Sequence, residues 1–148
     1  MVIEIPRGSF LKRGSGGGLD FVSPLPCPYN YGSVPDYLGL EGDLLDAVVL
    51  GPRQPRGSRV RVRAWGSVGL SDRGLYDDKL ICASRRPDRL QRCRVLRFFR
   101  FYARCKRLLN WLRQQPGLTR CEGWDEASRA IARARPRHQS WRGPAVRF

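Results

Sequence analysis

A chain of 148 residues with 41% hydrophobic content is long enough for one buried core and too apolar for disorder by composition. Its 28 Lys+Arg against 13 Asp+Glu leave a net charge of +15. The five cysteines form no C-x-x-C pair and His138 is the only histidine, which argues against a disulfide scaffold or a zinc site and leaves catalysis to carboxylates, metals, Lys, Arg or Tyr.

In chain order, Val2 to Ile5 alternates like a strand and stops at Pro6, and the Gly/Ser-rich Gly8 to Gly18 region, carrying Lys12 and Arg13, predicts a mobile hairpin. Pro24, Pro26 and Pro28 force an extended segment. Leu44 to Leu50 is apolar except for Asp46 and predicts a buried strand with one aspartate in it. Ser58 to Val68 predicts a half-solvated strand, Ser71 to Asp78 a polar loop, and Leu80 to Cys82 a short strand. From an N-cap at Asp88 to about Leu112, helical spacing of Leu90, Phe98, Phe101, Cys105, Leu108 and Leu112, joined by Val95, Tyr102 and Leu109, predicts an amphipathic helix whose apolar arc packs on the strands. Leu118 to Cys121 reads as a last strand and Asp125 to Arg135 as a second helix. The expected organisation is one α+β domain over residues 1–135 and a basic, mobile tail over 136–148.

No run reaches the roughly 18–20 apolar residues of a membrane span, and the opening Met-Val-Ile-Glu-Ile-Pro lacks a basic leader, so a soluble, cytoplasmic protein is expected. Charge is unevenly placed: residues 1–80 hold 10 basic and 9 acidic residues, residues 81–148 hold 18 and 4. The scarce acids group in two stretches, Glu41, Asp43 and Asp46, then Asp72, Asp77 and Asp78. Convergent carboxylates repel by several kcal/mol at about 4 Å unless a cation lies between them. Hard divalent ions take oxygen ligands, so Mg²⁺ is the expected cation, and ordinary turn acids are the competing reading.

Five ordered blocks go further: Ile3-Glu-Ile-Pro-Arg-Gly-Ser9, Pro28-Tyr-Asn-Tyr-Gly32, Glu41-Gly-Asp-Leu-Leu-Asp-Ala-Val-Val49, Asp72 with Asp77-Asp-Lys79, and Phe98-Phe99 with Tyr102 and Glu122-Gly-Trp124. Together they resemble the family I soluble inorganic pyrophosphatases over about residues 2–135, with Glu41 to Val49 similar to the signature D-G-D-P-x-D-V. The resemblance implies an OB-like five-stranded β-barrel flanked by two C-terminal helices, a homo-oligomer, and Mg²⁺-dependent hydrolysis of pyrophosphate to two phosphates, with metal ions supplying charge at the attacking and leaving oxygens. By position it implies Glu41, Asp46, Asp72 and Asp77 as metal ligands and Asp43 as the catalytic general base. Lys12, Tyr31, Lys79 and Tyr102 would bind substrate, and Glu4 would be an outer acid of the cavity.

The chain departs from that pattern at Glu41 for Asp, Leu44 for Pro, Gly14 for Glu and Ala103 for Lys, and an Arg expected near Leu19-Asp20-Phe21 is missing. Two phosphate-binding cations are thus lost, and Arg13 or Arg104 is a candidate replacement. The alternative function is a catalytically weakened scaffold that binds nucleic acid or another polyanion through its basic C-terminal half.

Overall fold

A computed structural model describes residues 1–13, 19–22, 25–115, 117–138 and 140. The elements in chain order are β1 (Val2–Ile5), β2 (Leu11–Arg13), β3 (Leu19–Val22), β4 (Asn30–Leu38), β5 (Leu44–Val49), β6 (Arg63–Asp72), β7 (Leu75–Ala83), α1 (Arg89–Leu112), β8 (Arg120–Asp125), α2 (Ala127–Arg133) and β9 (Arg135–Pro136). One sheet runs in the order β1-β4-β5-β7-β6-β8, with β9 paired to β4, while β2 and β3 form a separate two-stranded sheet. The strand class and the two helices match expectation. The OB-like five-stranded barrel is not shown: β1 and β8 end the ladder, and among the described residues no pairing joins them.

Among the described residues the one parallel pair, β5 with β7, sits at the centre and sets Asp46 opposite Lys79. Because side chains alternate across a pleat, the sheet has two distinct faces. On one, Ile3, Leu45, Ala47, Val49, Leu80 and Cys82 enclose Ala130 of α2. On the other, Val48, Val68, Leu70 and Ile81 meet Val95, Phe99 and Ala103 of α1. The near-continuous apolar run of β5 follows from this, since a central strand is buried on both sides.

Asp78, only 4% exposed, points to the α2 face and accepts two hydrogen bonds from the Arg133 guanidinium, at 2.8 and 2.9 Å. That fork-to-fork pair fixes α2 on the sheet. At the other end of β5, Asn30 is fully buried, accepts from the backbone N–H groups of Arg7 and Gln54, and donates to the Pro52 carbonyl. It ties the start of β4 to the loop after β5 and so positions the neighbouring Tyr31.

Two elements differ from the sequence-based expectation. The polar stretch Ser71 to Asp78 is not a loop. It is the end of β6, a two-residue turn and the start of β7, because Arg73 and Gly74 both adopt positive φ (52° and 87°), the geometry of a tight hairpin turn. The helix α1 begins at the expected cap, where Asp88 accepts from the Gln91 backbone and Gln91 returns the bond. Its buried face, however, is Val95, Phe99, Ala103 and Asn110. Leu90, Phe101, Cys105, Leu108 and Leu112, expected to pack inward, are exposed. The chain carries apolar residues on two faces of this helix, and the face that also holds Tyr102, Lys106 and Asn110 packs on the sheet. The expected tail begins by pairing with the sheet through β9; residues 139 and 141–148 lie outside the described residues.

Gly32 crosses so close to β1 that a Cβ there would lie 1.8 Å from the Val2 carbonyl oxygen. Gly32→Ala must therefore displace β1, and a loss of about 1–3 kcal/mol is expected, as for other overpacked sites. Urea unfolding midpoints check it; an unchanged midpoint would contradict the close approach.

Candidate active site

The expected site residues come to the α1-facing side of the sheet through strand register. Ser33 on β4 pairs with Asp46 on β5, which pairs with Lys79 on β7. Tyr31 lies two residues from Ser33 and Asp77 two from Lys79, so both share that face. Asp72 ends β6 on the same side, two residues beyond Leu70.

The Lys79 ammonium bridges the Asp46 and Asp77 carboxylates, and the Tyr31 hydroxyl donates to the same Asp46 oxygen. Lys79 is only 6% exposed at its side chain. Burial alone would push its pKa down, but the two carboxylates outweigh that and hold it well above the ordinary lysine value. Tyr31 is driven well above the ordinary tyrosine value by burial, with the Asp46 charge adding to it, so it stays a hydroxyl donor. Tyr102 of α1 lies near enough to Tyr31 for its charge to be felt there, and packs against Phe98 and Phe99.

Glu41 sits at the mouth of this cluster. Burial raises its carboxyl from the ordinary 4.5 to about 8, and the neighbouring Asp77 pushes in the same direction. Burial also raises Asp77, against the pull of Lys79. The Glu41 Oε2 and Asp77 Oδ1 atoms are buried without a hydrogen-bond partner. Such oxygens are costly unless a cation or proton meets them, and an all-oxygen set of this kind suits a hard divalent ion. Among the described residues no three His, Cys, Asp or Glu side chains are grouped so as to hold a metal ion, and the Lys79 ammonium lies between Asp46 and Asp77.

Asp72 stands somewhat apart. Its Oδ1 accepts from Asn110 at 2.8 Å and Thr119 at 3.3 Å, and its Oδ2 lies 2.8 Å from the Lys106 Nζ. Burial opposes its ionisation, but the Lys106 hydrogen bond and charge, with Asn110, hold its carboxyl below the usual value. Asp43 lies in the β4–β5 turn, where its Oδ1 accepts from the Leu44 N–H at 2.7 Å. Glu4 on β1 accepts from the Ser33 hydroxyl at 2.5 Å. Lys12 is on β2, and its side chain lies outside the described residues, as does Gly14. Arg104 is exposed on the far side of α1. Lys106, Asn110, Thr119 and Ser33 were not singled out from sequence; the i, i+4, i+8 spacing of Tyr102, Lys106 and Asn110 is the signal that would have found the first two.

Residues 1–142 match the family described as inorganic pyrophosphatase. The inorganic pyrophosphatase of Gluconobacter oxydans is 37% identical over 90 residues, covering 55% of this chain and 52% of its own length. That of Streptomyces coelicolor is 39% identical over 103 residues, covering 64% and 63%. The chain spans about half the length of the curated relatives it matches. The solved inorganic pyrophosphatases of Helicobacter pylori and Thermus thermophilus superpose with TM-scores of 0.70 and 0.68 at 26% and 27% identity, covering 89% and 90% of this chain and 86% and 84% of theirs. The chain belongs to the inorganic pyrophosphatase family.

The raised Glu41 carboxyl makes stability depend on pH. Folded Glu41 keeps its proton up to about pH 8, where an unfolded glutamate has released it above about 4.5. Its contribution is full below the unfolded value and is lost as pH rises through 8. In chelator-containing buffer, urea midpoints of the wild type should fall between pH 5 and 9, and Glu41→Gln should flatten that slope. Parallel profiles would show that Glu41 is not the group responsible.

Proposed function

We propose that the chain hydrolyses pyrophosphate to two phosphates in the cytoplasm, as a homo-oligomer that uses Mg²⁺. The observation that carries the reading is the set of buried carboxylate oxygens without a hydrogen-bond partner, on Glu41, Asp72 and Asp77, within one face of the sheet. Glu41, Asp46, Asp72 and Asp77 would hold the metal. Bound there, Mg²⁺ would supply positive charge at the attacking and leaving oxygens of the phosphoryl transfer.

The chain's own groups do the rest. Asp43, oriented by the Leu44 N–H, accepts the proton of the attacking water as general base. Lys12, Tyr31, Lys79 and Tyr102 hold phosphate oxygens, Tyr31 as a neutral donor. Glu4 borders the cavity beyond Ser33. Support for the substrate comes from the names of the relatives and from the match over most of the chain.

Purified protein is expected to release phosphate from pyrophosphate only when Mg²⁺ is present, and no release at any Mg²⁺ concentration would overturn the reading. Asp43→Asn should lower turnover by roughly 10²–10⁴-fold, the usual worth of a general base. Unchanged turnover would remove Asp43 from that role.

A further inference from the structure

Seven of the eight cations on α1 serve its outer surface or its packing. Arg89, Arg94, Arg97, Arg100, Arg104 and Arg107 are exposed, and Arg92 lies 5.1 Å over the Trp124 ring. Lys106 alone turns into the acidic face, one helical turn beyond Tyr102, with its Nζ 2.8 Å from Asp72. Its charge also reaches Asp77, where it favours the ionised carboxylate.

We propose that Lys106 is a further substrate-binding residue of this site, which takes a phosphate oxygen of the bound anion. This rests on the pyrophosphatase reading above. The geometry leaves few other cations for the task. Lys79 is enclosed by two carboxylates at 6% exposure, so most of its charge is matched within the protein. Arg73 is held at the hairpin tip, where it donates to Gln115, and its Nε stands farther from Asp72 Oδ2, at 4.0 Å, than does the Lys106 ammonium at 2.8 Å. Lys106 keeps 26% of its side chain open to solvent, enough for an anion to reach it without the helix moving.

Asp72 acts as its support. Asn110 and Thr119 fix one oxygen of Asp72, which leaves the other to hold the lysine on the side facing the cluster. An ammonium has three donors and a flexible stem, so it can stay on Asp72 while a second N–H meets a phosphate oxygen. The net effect is to place one positive charge at the edge of a carboxylate field that would otherwise repel pyrophosphate.

The test is calorimetric binding of methylenediphosphonate, a pyrophosphate analogue that cannot be hydrolysed, in Mg²⁺ buffer and well below the melting temperature of every variant. Lys106→Met should bind about ten- to a hundredfold more weakly, the usual range for a hydrogen bond to a charged group. Lys106→Arg should recover most of the affinity, and the exposed neighbour Arg107→Met should bind as wild type does.

In pyrophosphate turnover, Lys106→Met should raise KM more than it lowers kcat. A folded Lys106→Met with wild-type affinity would reduce the lysine to a structural partner of Asp72 and overturn the proposal, as would an equal loss in Arg107→Met. Failure of the underlying reading looks different: the wild type itself would neither bind the analogue nor release phosphate, and both proposals would fall together.

Discussion

The Lys79 ammonium held between Asp46 and Asp77 is the interaction on which the site depends. It joins β5 and β7, the only parallel pair among the described residues, in the middle of the sheet. Removing one member of a buried ion pair typically costs about 3–5 kcal/mol, because the partner's charge is stranded away from water. The pair is a weak source of net stability and a strong source of specificity: only one register of β5 against β7 sets Asp46 beside Lys79. Slipping by one residue would turn Asp46 toward the apolar α2 side and expose Leu45 or Ala47 to the acids. Tyr31 adds to the constraint by donating to the same Asp46 oxygen, so β4 is held in register by a third polar contact.

From that constraint the division of labour between the helices follows. The face bearing Lys79 cannot be covered by a wholly apolar helix, since its polar groups need partners at depth. α1 meets this need with Val95, Phe99 and Ala103 over the apolar part of the sheet and Lys106 and Asn110 over the acidic part. The opposite face is apolar except at its border, and α2 covers it with Ala130 and closes that border through Arg133 and Asp78. Arg89, Arg94, Arg97, Arg100, Arg104 and Arg107 lie on the outer side of α1, where arginine side chains are solvated, and only Lys106 among the α1 cations faces the carboxylates.

This explains which parts of the molecule could be read from sequence. Asp88 and Gln91 form a cap from local chemistry alone, so the start of α1 was legible. The apolar run Leu44 to Val49 marked a buried strand, and the grouped acids marked the site, because both are properties of short segments. The inward face of α1 was not legible: Phe101, Leu108 and Leu112 are as apolar as Val95 and Phe99, and the stripe that packs inward is the one that brings Asn110 to Asp72, 38 residues away in sequence. The hairpin at Arg73 and Gly74 was hidden because an arginine at φ 52° is uncommon and the flanking Ser71, Asp72, Asp77 and Asp78 look like loop residues. Strand closure was also a matter of long-range pairing, and local pattern carries no information about it.

The four acids that the resemblance groups as metal ligands are kept close by three different means. Asp46 and Asp77 share the Lys79 ammonium. Asp72 has two cations, Lys106 at 2.8 Å and Arg73 at 4.0 Å, and two neutral donors. Glu41, the residue with one more methylene than the family pattern, has no cation within hydrogen-bond reach among the described residues, and burial with Asp77 nearby favours its protonated form. Glu41 Oε2 and Asp77 Oδ1 are buried without a hydrogen-bond partner, and so is Asp72 Oδ2, which meets only the charges of Lys106 and Arg73. In a chain with a net charge of +15, this face is the place where buried carboxylate oxygens are left without a hydrogen-bond partner.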